Sequence, residues 1–165
     1  MTRESWLAIG VKASRLAGPK GHPLHPFVVP LPIGAFLSSL IFDILTHTRT
    51  DGLPYLVDGA FWLIGVGLGG ALLAAVFGAM DFRTVPRGTS AFTTARTHLS
   101  LNAVAFVLFS IGYAWRAGDH AELDKTRLGQ LGLSAVATAI LLAAVWLGGT
   151  LTYRHGLRVQ GRVDD

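Results

Sequence analysis

The sequence predicts an all-α integral membrane protein, a four-helix bundle preceded by a short amphipathic interfacial helix. Three observations carry that prediction. Hydrophobic residues make up 51% of the 165-residue chain, charged residues only 15%, and the mean hydropathy is +0.48. An ordinary soluble domain is about 25% charged, so this composition belongs with the bilayer. The formal net charge of +4 is what a membrane protein needs to orient its loops, and nucleic acid is not expected as a partner. The chain has no cysteine, which excludes disulfides, thiolate metal ligands, iron–sulfur clusters and covalent c-type haem attachment.

Residues 1–20 read as the interfacial helix. Trp6, Ile9, Ala13, Leu16 and Ala17 recur at helical spacing, Glu4, Lys12 and Arg15 fall elsewhere around the turn, and Gly18-Pro19 ends the segment. No uninterrupted apolar stretch builds up before a small-residue cleavage site, so the first span is expected to be its own insertion signal. Residues 21–156 form the membrane domain and residues 157–165 a basic-then-acidic cytoplasmic tail.

Apolar runs over residues 27–46, 57–80, 97–115 and 130–152 approach the ~20 residues a helix needs to cross hydrocarbon. Entry to the first is crowded by Pro23, Pro26, Pro30 and Pro32, none of which has an amide hydrogen to donate. A helix beginning near Leu31, or one kinked from the start, is expected, with residues 21–30 irregular and lining a cleft flanked by His22 and His25. The second run is glycine-rich, and Gly65 with Gly69 makes a small-residue pair that brings helices close, within the bundle or in a homo-oligomer. Met80-Asp81-Phe82-Arg83 closes this run, Pro86-Arg87-Gly88 turns, and Thr89 or Ser90 caps the third helix. His98 then lies about two turns in, with Asn102 on the same face.

At the opposite end, Asp43 and Asp58 are expected to face each other across a short loop, bonded to helix ends or to Arg49. His47 and His120 are expected in solvated loops, and His155 as a stop-region residue. Four crossings put ten of the Lys and Arg residues on the N-terminal side and four, Arg49, Arg116, Lys125 and Arg127, on the other. That bias places both termini in the cytoplasm and the protein in the inner (plasma) membrane.

One constellation stands out. Gly21-His22-Pro23-Leu24-His25-Pro26 precedes Leu31-Pro32-Ile33-Gly34, then come Asp43, Gly78-Ala79-Met80-Asp81, His98 with Asn102, and Gly148-Gly149 through Tyr153 to Gly156. Over residues 18–160 this pattern resembles the domain-of-unknown-function 2231 family of small four-helix predicted membrane proteins. Some relatives are joined to Rieske iron–sulfur domains, which implies a redox setting but assigns no reaction. Relatives often carry a histidine after the paired glycines. Thr150 holds that position here, so no ligand role carries over to it.

Ionisable groups at one membrane depth are functional candidates. His22, His25, Asp81 and His98 could supply nitrogen and oxygen donors to a transition metal. His98 with His22 or His25, beside the glycine face, with Asn102 near and Arg83 or Arg96 for propionates, fits a haem b site. Structural capping and a proton or ion route are the competing readings. No nucleophile elbow, Walker lysine or broken-helix pair is present, so catalysis by the chain itself is not expected. No internal repeat is evident. Two functions follow: a haem- or metal-binding electron-transfer component with a redox partner, or an accessory subunit of a larger membrane complex.

Overall fold

Four apolar runs become four long helices because lipid leaves the backbone no other way to satisfy its polar groups. The computed structural model describes residues 24–48 and 50–157, and the interfacial segment over residues 1–20, His22, Arg49 and nearly all of the tail lie outside them. The described residues form α1 (Leu24–Val28), α2 (Pro30–Leu45), α3 (Pro54–Phe82), α4 (Ser90–Arg116) and α5 (Leu128–Tyr153). Together α1 and α2 make the first span, Leu24–Leu45, and α3, α4 and α5 are the others, each long and apolar enough to cross a membrane.

The proline-rich entry is more regular than its composition suggests. Val29, between α1 and α2, keeps helical dihedrals, its N–H bonds His25 O at 3.1 Å, and Ile33 N–H bonds Val29 O at 3.4 Å. Residues 24–30 are therefore helical rather than irregular. Pro30 and Pro32 remove only the bonds that Pro26 and Val28 carbonyls would have received, and Pro26 lies in the first turn, where no donor is needed. The other expected boundaries are extended at both ends by Pro54 and by caps. Thr89 Oγ1 accepts from Phe92 N–H at 3.1 Å, the N-cap expected for the third span.

The spans pair as two hairpins, α1–α2 with α3 and α4 with α5, which then pack together. Phe36, Ile64, Ala105, Phe109, Ala137 and Leu141 form the shared core. Outward faces are apolar too, with Leu72, Val76, Val107, Ile111 and Leu142 exposed, as a lipid-facing bundle requires. At the far end the two loops interlock. Leu53 N–H bonds Asp124 O at 2.8 Å, and Gly52 takes φ +74° where a Cβ would stand 2.7 Å from Asp124 Cβ.

The structure overturns the absence of an internal repeat. Phe36, Phe42 and Asp43 follow His25 at the same intervals as Phe109, Trp115 and Arg116 follow His98. Ala74 and Gly78 follow Gly59 as Ala144 and Gly148 follow Gly129. The contacts repeat as well: Phe42 lies on Gly59, and Trp115 lies on Gly129. Equivalent residues touch each other only near an axis relating the two halves. Phe36 stacks on Phe109 with centroids 3.8 Å apart and planes 8° from parallel, and Asp43 pairs with Arg116. Two like hairpins thus run in the same direction about an axis along the bundle.

Candidate functional site

At the end where each hairpin begins, the repeat places two imidazoles in one environment. His25, on α1, donates from Nδ1 to Ala74 O of α3 at 2.9 Å. His98, on α4, donates from Nδ1 to Ala144 O of α5 at 2.7 Å. A carbonyl only accepts, so in each neutral ring the hydrogen sits on Nδ1 and the lone pair on Nε2. Each ring also lies over a glycine one turn further along. A Cβ on Gly78 would stand 3.1 Å from His25 Cε1, and one on Gly148 would stand 3.1 Å from His98 Cε1. The glycines near these rings therefore make room for imidazole.

Asn102, one turn beyond His98 as its spacing implied, has Nδ2 3.2 Å from His98 Nε2 and 2.8 Å from His98 O. Asp81 is half-buried three residues beyond Gly78. Among the described residues, no three of His, Asp, Glu and Cys gather as a group that could hold a metal ion. His25, His98 and Asn102 are thus drawn to one end, while His22 lies outside the described residues.

Sequence reasoning missed the opposite end. Arg116, counted there as a loop cation, is fully buried and grips Asp43 through two bonds, Nη1 to Oδ1 at 2.8 Å and Nη2 to Oδ2 at 2.7 Å. Nη2 also donates to Ser134 Oγ at 3.0 Å, and Thr126 Oγ1 donates to Asp43 Oδ1 at 2.8 Å. Asp43 therefore faces inward, not toward Asp58, and the expected contact with Arg49 involves a residue outside the described ones. An arginine directly at the end of an apolar run was the available signal, because a charge at the edge of the membrane needs a named partner.

Asp58 is likewise engaged elsewhere. It bonds His120 Nδ1 at 2.7 Å, and the His120 ring stacks on Phe61 with centroids 3.8 Å apart. His120 is packed rather than solvated, because Phe61 and Trp62 at the start of α3 offer it an aromatic seat. His47 is exposed, as expected for a loop residue. Gly65 serves the bundle itself, since its Cβ position is 3.2 Å from Tyr113, whereas Gly69 has no neighbour within 4 Å.

No curated protein and no solved structure matches this chain. The family model described as predicted membrane protein (DUF2231) matches residues 21–161, which takes in all four spans and both histidines of the pair. The chain belongs to the DUF2231 family of membrane proteins.

Proposed function

We propose that this membrane protein is a haem-binding electron-transfer component in which His25 and His98 would hold the haem. The observation that carries the proposal is the matched anchoring of the two rings. Each donates Nδ1–H to a carbonyl of the partner helix, the arrangement that fixes the tautomer and orients a metal-ligating histidine. Each is left with Nε2 as its donor atom.

The donor set favours haem b over a bare ion. A transition metal held by protein alone asks for three or four donors, and the described residues do not assemble three. A haem would ask the chain for no more than the two imidazoles of His25 and His98, and would supply one-electron chemistry there. Asn102 must release His98 Nε2, and its amide keeps the 2.8 Å bond to His98 O when it does. Exposed Arg83 and Arg96 would be available to propionates. Bound haem would carry one electron at a time, and the chain's own task is to hold it in lipid at a set potential.

The excess of Lys and Arg around the histidine end supports placing that end, and both termini, on the cytoplasmic side of the plasma membrane. A redox partner would dock there. A second reading, a non-catalytic accessory subunit, is favoured by one observation: Asn102 already satisfies His98 Nε2, so the imidazoles also work as inter-helix ties. Gly69 would then be one contact point for a larger complex or a second copy.

A reduced-minus-oxidised spectrum of gently solubilised protein, with iron analysis, tests the proposal. Bis-imidazole haem bands lost in both His25→Ala and His98→Ala are expected. Folded protein that carries no chromophore and takes up no added haem contradicts it and leaves the accessory reading.

A further inference from the structure

Arginines far from the histidines are paired, and those beside the histidines are not. At the far end Arg116 is bonded to Asp43 and Arg127 to Asp119. At the histidine end Arg83, Arg87, Arg96 and Arg154 are all exposed, and none has an ion-pair partner among the described residues. One described carboxylate, Asp81, accompanies these four guanidiniums. This end therefore presents a net positive surface.

Three of the four stand together. Phe82 stacks on Phe92 with centroids 5.1 Å apart, which brings the end of α3 beside the start of α4. Arg83 follows Phe82, Arg87 lies in the turn, and Arg96 is one helical turn beyond Phe92 on the same side of α4. Thr93, Thr97 and Ser100, all exposed, continue the polar surface along α4. Thr93 and Thr97 give their hydroxyl hydrogens to Thr89 O and Thr93 O, which leaves the guanidiniums as the charged donors of this face. Hairpin packing does not ask for such polarity, because in the first half of the repeat the places of Arg96, Thr97 and Ser100 are held by Pro23, Leu24 and Phe27.

Depth identifies what meets these donors. His98 bonds Ala144 O, and α4 and α5 are antiparallel, so Arg96, two residues before His98, lies level with Trp146, two residues after Ala144. Trp146 is 78% exposed on a spanning helix, and tryptophan so placed marks the boundary between hydrocarbon and headgroups. Guanidiniums at that boundary face lipid phosphates, which they grip through paired hydrogen bonds. A surface with cations in excess favours lipids of net negative charge over zwitterionic ones, whose own cation offsets the attraction.

We propose that the α3–α4 turn and the exposed face of α4 form a seat for the headgroup of an anionic phospholipid, with Arg83, Arg87 and Arg96 around its phosphate. The seat does not rest on the haem reading. Its test uses protein to which no haem has been added, so no propionate competes for Arg83 or Arg96.

Native mass spectrometry of the full chain, delipidated in detergent and offered equal amounts of phosphatidylglycerol and phosphatidylcholine, tests the proposal. Phosphatidylglycerol adducts should dominate. Joint substitution of Arg83→Gln, Arg87→Gln and Arg96→Gln should lower their affinity by about fivefold per guanidinium removed. These side chains are exposed, so the variant keeps the fold. Arg127→Gln, which removes a paired arginine at the other end, should leave the preference unchanged. Equal adducts of the two lipids, or a preference that survives the triple substitution, overturns the proposal. An equal loss in Arg127→Gln overturns it too, because overall charge would then explain the preference. So does displacement of phosphatidylglycerol by excess inorganic phosphate, the behaviour of a site for a soluble anion.

Discussion

The two ends of the bundle treat the repeat in opposite ways. At the loop end the equivalent positions carry unlike residues, Asp43 and Arg116, which bind each other across the axis and so join the hairpins. At the other end the equivalent positions carry the same residue, and His25 and His98 each bond within their own hairpin. Complementary groups consume one another. The two imidazoles instead each bond a carbonyl through Nδ1, and Asn102 Nδ2 lies 3.2 Å from Nε2 of His98. The first end joins the two hairpins, and the second ties the helices within each hairpin.

Breaking the cohesive end should have the largest effect. Asp43→Ala or Arg116→Ala leaves a buried charge without its partner, which costs about 3–5 kcal/mol and is read as a loss of folded protein in detergent unfolding. Exchanging the charges, D43R with R116D, sharpens the comparison. Because the two positions are equivalent about the axis, the exchange should recover part of the loss, limited by Thr126 and Ser134, which now face the wrong partners. An exchanged protein no better than either single variant would refute the symmetry.

The junction between the ends comes next. A Cβ at Gly67 would stand 2.5 Å from Phe36 Cε1. Gly67→Ala should therefore tilt the Phe36–Phe109 stack and destabilise by about 1–3 kcal/mol, an overpacking cost measurable in the same unfolding experiment. At the histidine end, His25→Ala and His98→Ala each delete one inter-helix hydrogen bond, worth about 1 kcal/mol in protein without haem. Their near-equality is the point, since a structural role confined to one hairpin would make them differ. The smallest effect belongs to the periphery: Asp58→Asn weakens a partly exposed contact with His120 and should cost under about 1 kcal/mol.

Much of this architecture was legible in the chain itself. Span positions follow from apolar length, the Thr89 cap from a hydroxyl before an apolar run, and the His98–Asn102 contact from helical spacing. The prolines at the entry to the first span point to a late or kinked helix with irregular backbone over residues 21–30, and the described part of that stretch is helical. In fact a helix tolerates the loss of two hydrogen bonds when its dihedrals stay regular, as Val29 shows. The Asp43–Arg116 pair was hidden by 73 residues of separation, which no local pattern spans. The repeat was hidden for a different reason. Its halves share intervals rather than residues, and an aspartate matched by an arginine, or an isoleucine by a serine, does not look like repetition until Phe36 is found lying on Phe109.

The most direct test of the division between the ends is a haem titration followed by thermal melting of wild-type, His25→Ala and His98→Ala protein. Binding to the folded state raises the melting temperature by an amount that grows with the logarithm of free ligand over Kd. Wild-type protein should be stabilised by haem, both histidine variants should lose that stabilisation together, and the exchanged Asp43/Arg116 protein should retain it. Haem stabilising all of these proteins alike, or none of them, would contradict the account.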